Sequence, residues 1–167
     1  MSTQLSSTDE EFLEYAIRLS QHSLEQGGTP FGAIVVIQGE IVGKGTSSVV
    51  ELRDPTAHAE VMALREAGAK LGRHLFEDGV MYASSEPCPM CLVACYWARI
   101  PRLVYAGTST DVAVNGFEDL QFYRELSMPA TQRTLIEQAQ SPALQEQATA
   151  VLEAWAARLP EPVQPKL

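Results

Sequence analysis

The sequence predicts an α/β layered domain in which helices cover both faces of a sheet. Two observations carry this prediction. Apolar residues recur at helical spacing near the N-terminus and again after residue 57, and β-branched or aromatic runs lie between the helical segments. Alternation of strands and helices is typical of a sheet with parallel neighbours. With 167 residues, 46% of them hydrophobic, the chain can bury one sizeable core.

The first 45 residues predict a helix followed by a β-hairpin. Thr8 and Glu11 have the spacing of a capping box, and apolar residues at helical spacing follow, so we expect a helix over about residues 9–26. Gly27 to Pro30 ends it. The β-branched run 33–37 predicts a buried strand, and Gln38-Gly39 a tight turn into a second strand over 40–45. A polar loop of roughly ten residues should follow.

The middle of the chain predicts two helix and strand pairs. Gly72 marks the end of the first helix, and Pro87 opens the second. In order, the predicted helix, strand, helix and strand occupy residues 57–71, 79–84, 88–99 and 102–106.

The region after residue 107 predicts fewer elements. We expect a loop over 111–117, a short helix over 118–126 and an amphipathic helix over 141–159. We predict one domain over residues 1–159 and a flexible tail at 160–167, which holds three prolines.

Charge and composition limit the partners and the location. The net charge is −9, from 12 basic and 21 acidic residues, which argues against a large nucleic-acid surface because such binding depends on Lys and Arg. The N-terminus lacks a signal-peptide pattern, and no apolar run approaches the ~20 residues of a membrane span. Three cysteines fit a reducing compartment. We therefore expect a cytoplasmic protein without membrane or nucleic-acid partners.

One group of residues has the spacing of a metal site. His58 and Glu60 are followed by Cys88 and Cys91, the latter pair at the start of a predicted helix. An imidazole and two thiolates can hold zinc, and three protein ligands leave the fourth position for water, as in catalytic zinc sites. Glu60 lies beside this group, where a carboxylate can move protons to and from the activated water.

The chain resembles the cytidine deaminase superfamily, in the branch of guanine, cytosine and tRNA-adenosine deaminases, and is most similar to the bacterial guanine deaminases. The pattern H-x-E…P-C-x-x-C is the signature of zinc deaminases. The similarity extends from the first helix to about Arg133. The motifs that carry it are Pro30-Phe31-Gly32-Ala33, Asp54-Pro55-Thr56-Ala57-His58-Ala59-Glu60, Glu86-Pro87-Cys88-Pro89-Met90-Cys91 and Tyr96-Trp97-Ala98-Arg99.

This resemblance implies a three-layer α/β/α fold with a five-stranded mixed sheet, and one zinc ion per chain. His58, Cys88 and Cys91 would be the metal ligands and Glu60 the proton shuttle. The resemblance also implies a homodimer, in which the helix at 141–159 is exchanged between subunits.

Four further residues are candidates for substrate binding. The resemblance implies that Phe31 stacks on a flat substrate and that Asp119 belongs to the pocket. Trp97 follows the metal turn, residues 86–91, closely enough to line the pocket, although core packing is the more common role of such a residue. Ser47 stands eleven residues before His58, where the family carries Asn; its hydroxyl is shorter and presents one donor, so we expect a shifted substrate.

The function predicted from these residues is hydrolytic release of ammonia from an amino-substituted heterocyclic base. The alternatives are deamination of tRNA adenosine, or of a nucleoside, a pterin or an aminotriazine. A zinc-stabilised or redox C-x-x-C protein is a third class, but it gives no role to Glu60. Cys95 could in principle close a structural zinc site, yet we expect it to be a buried packing residue. No aromatic residue follows Trp155, whereas guanine deaminases are expected to close the pocket with a C-terminal aromatic.

Overall fold

The computed structural model describes residues 6–138 and 141–162. The chain divides into two compact units, Met1–Ser127 and Met128–Leu167. The first unit contains the sheet and most of the helices. The second contains a 3₁₀ turn and the last helix. The single domain over 1–159 stays a prediction, and most of the predicted tail lies outside the described residues.

The sheet is mixed and has four strands among the described residues. Their order is β2-β1-β3-β4, with β1 antiparallel to both β2 and β3, and β3 parallel to β4. The predicted hairpin is confirmed, and its turn has positive φ at Gln38 and Gly39. The strands are β1 Gly32–Ile37, β2 Glu40–Thr46, β3 Gly79–Ser85 and β4 Arg102–Gly107.

The prediction of five strands is wrong for the described residues, because the chain after β4 forms helices instead. Pro129 lacks the N–H that a central strand must donate. Leu135 and Ile136 have apolar side chains suited to a strand, but they are 71% and 82% exposed and belong to none. A strand needs a partner edge as well as a suitable composition.

Seven α-helices accompany the sheet in the described residues. The bounds of the predicted helices are confirmed to within three residues at each end. Two short helices occur where loops were predicted, one after β2 and one after β4. The helices are α1 Ser7–Glu25, α2 Val49–Leu52, α3 Ala59–Leu71, α4 Pro89–Trp97, α5 Ser109–Val114, α6 Asp119–Ser127 and α7 Pro142–Ala156.

Capping explains where α1 and α5 begin. The predicted capping box of Thr8 and Glu11 is wrong: Ser6 caps α1, and the carboxylate of Asp9 accepts the Ser6 backbone N–H at 3.2 Å. Thr108 and Asp111 form the same reciprocal pair at α5. An aspartate at the third helical position thus does what a capping-box glutamate usually does.

The core has two layers, one on each face of the sheet. Every residue of β1 is buried, as expected for a strand with neighbours on both sides and helices above and below. One layer joins the sheet to α3 and α4, and the other joins it to α1. Representative members are Val35, Ala63 and Met81 in the first layer, and Ala16, Ile34 and Val104 in the second.

Helix α3 lies directly on β2 because glycines face it. A Cβ atom placed on Gly43 would collide with the carbonyl oxygen of Ala63, and one on Gly45 with that of Ala59. Only glycine permits this approach of helix to strand. Since Ala59 begins α3, Gly45 determines the position of the turn that carries His58 and Glu60.

A polar network centred on the buried carboxylate of Asp9 attaches α1 to β3 and β4. Asp9 accepts hydrogen bonds from the Tyr82 hydroxyl at 2.6 Å and from the Arg102 guanidinium at 2.7 and 2.8 Å. Asp9 is 7% exposed. The bonds from Arg102 and Tyr82 hold the pKa of its carboxyl well below the usual range.

None of the helices in the described ranges is both long and apolar enough to cross a membrane.

Candidate active site

Three side chains of the kinds that bind metal ions, here called the metal-binding group, meet at the starts of two helices. His58 is the N-cap of α3, Cys88 is the N-cap of α4, and Cys91 lies one turn into α4. One ligand atom from each lies within 4.8 Å of the other two. Cys88 follows the carboxyl end of β3, the end of a strand at which open α/β sheets place their sites. The group could hold a metal ion, as predicted from the spacing.

The electrostatics of this group favour a thiolate. Hydrogen bonds from Cys91 and from His58, whose Nδ1 lies 3.6 Å from Sγ, lower the pKa of Cys88. The same contact with Cys88 raises the pKa of His58. Cys91 shares its proton with Cys88 and is buried, so its pKa is raised. Thiolate is the form of cysteine that binds metal, and an open tetrahedral site with one His and two Cys ligands suits zinc.

Glu60 is buried beside the metal group. It lies in the first turn of α3 and is 7% exposed. Burial raises the pKa of its carboxyl, and the hydrogen bond with Cys91 only partly opposes this. A raised pKa makes the carboxylate a stronger base, which favours the uptake of a proton that it can later release, as a general acid and base must.

A cavity of about 170 Å³ opens onto Glu60, His58 and Cys88. Three of the four predicted substrate residues, Phe31, Ser47 and Asp119, line it. Sequence reasoning missed five further lining residues. They are Thr29, Val49, Ser85, Glu86 and Phe117.

Some of the missed residues had a signal in the sequence. Phe117 stands two positions before Asp119, and Glu86 belongs to the motif around the cysteines. Thr29 comes from the loop before β1 and Val49 from the start of α2, and the approach of both to the cavity depends on how the sheet and helices pack.

An aromatic pair forms one wall of the cavity. The rings of Phe31 and Phe117 pack edge to face with centroids 4.8 Å apart. Such pairs contribute about 0.5–1.5 kcal/mol beyond the area they bury. The Phe31 ring is therefore held in place by Phe117 and also lines the cavity.

Asp119 reaches the cavity from the first turn of α6. Burial and the neighbouring Cys88 charge raise the pKa of its carboxyl. Two hydrogen bonds link α6 and the preceding helix α5 to the metal turn. The Tyr123 hydroxyl of α6 donates to the Pro87 carbonyl oxygen at 2.7 Å, and the Ser109 backbone N–H of α5 donates to Glu86 at 2.7 Å.

Trp97, the fourth predicted residue, lies outside this cavity. It is 78% exposed, so the expectation that it packs in the core is wrong, and the neighbouring Tyr96 is 69% exposed. Trp97 lines a broad apolar groove of about 700 Å³, together with Phe122 and Leu126. Both aromatic residues lie at the end of α4, on its exposed face.

Cys95 packs in the core, as predicted. It is 4% exposed, belongs to the layer between the sheet and the helices α3 and α4, and is not part of the metal-binding group. Burial raises the pKa of its thiol to about 12, which keeps it protonated.

Comparison with known proteins shows similarity to deaminases. The cytidine and deoxycytidylate deaminase zinc-binding region matches residues 6–107. The guanine deaminase of Bacillus subtilis (strain 168) is 46% identical over 127 residues, which cover 75% of this chain and 81% of that protein. The tRNA-specific adenosine deaminase of Aquifex aeolicus (strain VF5) is 42% identical over 97 residues, 58% of this chain and 64% of that protein.

A solved structure extends the similarity over nearly the whole chain. The X-ray structure of guanine deaminase from Bacillus subtilis superimposes with a TM-score of 0.85 and 37% sequence identity, covering 98% of this chain and 100% of that one. Its α/β cytidine deaminase-like fold is also the fold of this chain. The chain belongs to the cytidine and deoxycytidylate deaminase family of zinc-binding hydrolases that act on C–N bonds.

Proposed function

We propose that the chain hydrolytically deaminates a free amino-substituted heterocyclic base of the guanine type. The observation that carries the proposal is the cavity of about 170 Å³. It is lined by Glu60, by His58 and Cys88 of the metal-binding group, and by Phe31 and Asp119. The similarity to guanine deaminase, which covers more of both chains than the similarity to the Aquifex tRNA deaminase, supports the substrate class.

The residues of the chain divide the chemistry between them. His58, Cys88 and Cys91 would hold one zinc ion, which makes a water molecule more acidic and so a better nucleophile. Glu60 takes the proton from this water and returns it to the departing amino group, which leaves as ammonia. Its burial suits the first step, because it raises the pKa of the carboxyl and so makes the carboxylate a stronger base.

Phe31 and Asp119 orient the base. The Phe31 ring offers an apolar face for stacking, and the Asp119 carboxylate can accept hydrogen bonds from ring N–H or amino groups. Ser47 would meet another edge of the base with a short hydroxyl. We infer that this serine changes which bases are accepted relative to a protein with asparagine there.

Deamination of tRNA adenosine is the second candidate, because tRNA-specific deaminases are also related to this chain. The net charge of −9 argues against it, since an RNA loop is held largely through its phosphates. Inosine analysis of tRNA from a strain that lacks the gene would decide: loss of inosine would favour the tRNA reaction.

The test of the proposed reaction is ammonia release from guanine, adenine, cytosine, their nucleosides, pterins and aminotriazines by zinc-loaded protein. We expect the highest kcat/KM with guanine or a close analogue. Glu60→Gln should retain zinc and fold but lose ammonia release by at least a hundredfold, in line with the usual contribution of a general base. Glu77→Gln, which removes an exposed carboxylate elsewhere, should leave the rate unchanged. Full turnover by metal-replete Glu60→Gln protein would contradict the role of Glu60.

We also propose the homodimer, the exchange of the helix at 141–159 and the cytoplasmic location. The apolar side chains Val151, Leu152 and Trp155 of α7 are each at least 60% exposed, which supports burial of this helix against another surface. Light scattering should give twice the chain mass of 18.2 kDa. A mass of one chain at micromolar concentration would exclude the dimer.

A further inference from the structure

The hydroxyls of Thr29 and Ser47 form a pair at the edge of the substrate cavity. Thr29 Oγ1 donates to Ser47 Oγ at 2.5 Å, and both residues line the cavity that contains Glu60. Both residues also line a second, polar cleft of about 530 Å³. The pair therefore stands where the catalytic cavity meets this cleft.

Backbone hydrogen bonds hold the two residues in register. The Ser47 N–H donates to the Phe31 carbonyl oxygen at 3.2 Å. The Thr29 carbonyl oxygen accepts from the Phe31 N–H at 2.8 Å and from the Ser23 hydroxyl at 2.7 Å. Thr29 and Ser47 are thus fixed to each other and to Phe31, the residue proposed to stack on the base.

A hydroxyl pair differs from an asparagine in one respect that matters for recognition. The amide of asparagine has a fixed donor end and a fixed acceptor end, whereas each hydroxyl can rotate to donate or to accept. When Thr29 donates to Ser47, the Ser47 proton is free to donate to a ring nitrogen lone pair. When Ser47 donates to Thr29, its oxygen can accept from a ring N–H. In both states Thr29 pairs with the part of the Ser47 hydroxyl, proton or oxygen, that the base does not use.

We propose that Thr29 is a specificity-determining residue that acts through Ser47. The reversible pair allows the cavity to accept bases that present either a ring N–H or a ring nitrogen lone pair at this edge. This inference rests on the proposed deamination of guanine-type bases. Thr29 is a positioning residue in this role, because its effect on the base passes through the Ser47 hydroxyl.

The two orientations of the pair depend differently on Thr29. If the base donates to Ser47, loss of the Thr29 hydroxyl leaves the Ser47 proton without its acceptor. If the base accepts from Ser47, the same loss leaves only a lone pair unfilled. An unsatisfied donor costs more than an unsatisfied acceptor, because an oxygen can leave one of its lone pairs unused without a large penalty. Thr29→Val should therefore weaken one class of base selectively.

The experiment measures kcat/KM for guanine and its 3-deaza, 7-deaza and 9-deaza analogues. Each analogue removes or moves one ring nitrogen lone pair or N–H. Ser47→Ala identifies the ring position that Ser47 contacts. An analogue altered at that position should have a lower kcat/KM than guanine in wild-type protein, and this difference should disappear in Ser47→Ala. We expect Thr29→Val to lower kcat/KM about fivefold for the bases that donate to Ser47 and less than twofold for those that accept from it.

Two controls separate this effect from a general disturbance. Thr29→Ser keeps the hydroxyl and should restore the wild-type ratio between the two classes of base. Thr46→Val makes the same chemical change at the residue that precedes Ser47. Thr46 lines the polar cleft but not the catalytic cavity, so this variant should leave the ratio unchanged.

Three outcomes would overturn the inference. An equal loss with all four bases in Thr29→Val would assign Thr29 a structural role only. If the ratio of kcat/KM between guanine and each analogue is the same in wild type and in Ser47→Ala, Ser47 does not contact the base. Ammonia release from none of the four bases by wild-type protein would reject the proposed function and this inference with it, whereas the first two outcomes leave the proposed function standing.

Discussion

The Tyr123 hydroxyl donates a 2.7 Å hydrogen bond to the carbonyl oxygen of Pro87. Pro87 is buried and immediately precedes Cys88, a residue of the metal-binding group. Tyr123 lies one helical turn after Asp119 on α6. The bond therefore couples the helix that carries Asp119, a proposed substrate residue, to the turn that carries Cys88, a proposed metal ligand.

Removal of this bond should affect catalysis more than metal binding. In Tyr123→Phe we expect unchanged zinc content, a free energy of unfolding lower by about 1 kcal/mol and a several-fold higher KM, because Asp119 loses its fixed distance from the metal turn. Steady-state kinetics and metal analysis measure these effects. Tyr105→Phe removes a hydroxyl from an exposed residue of β4 and should change none of them. A loss of zinc in Tyr123→Phe would show instead that the bond holds Cys88.

The two classes of cysteine should separate in metal content. Cys88→Ala removes a proposed ligand and should reduce zinc to well below one ion per chain. Cys95→Ala changes a cysteine one turn from Cys91 that lies in the core, and should keep zinc at the wild-type level. Atomic absorption on purified protein provides the measurement. Full zinc occupancy in Cys88→Ala would contradict the ligand assignment.

Gly45→Ala should disturb the site from a distance. The new Cβ would collide with the carbonyl oxygen of Ala59, so either β2 or the first turn of α3 must move. Overpacking of this kind costs about 1–3 kcal/mol, and the shift should misplace His58 and Glu60. We expect a lower melting temperature and reduced zinc affinity.

Gly107→Ala serves as the matched control for this substitution. Its Cβ would meet neighbouring atoms only at 3.6 Å or more, an ordinary van der Waals contact. Equal zinc affinity and stability in the two variants would show that the close approach of α3 to Gly45 is not required.

The Asp9 network predicts a pH dependence of stability. Because the folded-state pKa of Asp9 is lowered, its contribution is present above the unfolded pKa of about 3.9 and is lost as the pH falls towards the folded value. Asp9→Asn should lower the free energy of unfolding by about 2 kcal/mol at pH 7, and the difference from wild type should shrink below pH 4. Urea unfolding at pH 7, 5 and 3 measures this.

Asp78→Asn is the control for the Asp9 variant. Asp78 pairs with Arg73 at 2.7 Å, but both side chains are more than 40% exposed, so the pair is screened by solvent and should contribute little. A difference between wild type and Asp9→Asn that stays constant from pH 7 to pH 3 would contradict the ionic contribution of Asp9.

Local patterns were sufficient for most of the elements and for the metal-binding group. The β-branched run before Gln38 and Gly39 predicted the hairpin, since a strand and its turn depend on neighbouring residues. The spacing of His58, Cys88 and Cys91 predicted a shared site because each stands at the start of a helix, and helix starts can be recognised from a few adjacent residues.

The errors arose where partners distant in sequence decide. Helix α1 begins at Ser7 because Asp9, which completes the Ser6 cap, is held by Tyr82 and Arg102 from two strands. Trp97 has a large aromatic side chain of the kind that often packs in a core, but it lies on the exposed face of α4. Neither result could be predicted from local propensity, because propensity does not determine which faces of the elements pack together.

By itself, the sequence determined the α/β class, the residues that form the metal-binding group, and the carboxylate next to it. Tertiary structure alone decided that Glu60 is buried, that Phe31 meets Phe117, and that Thr29 joins Ser47 at the edge of the cavity. The physical reason is that a metal motif depends on a few residues at the starts of helices. The shape of a cavity, in contrast, arises where separate segments of the chain converge on the packed sheet.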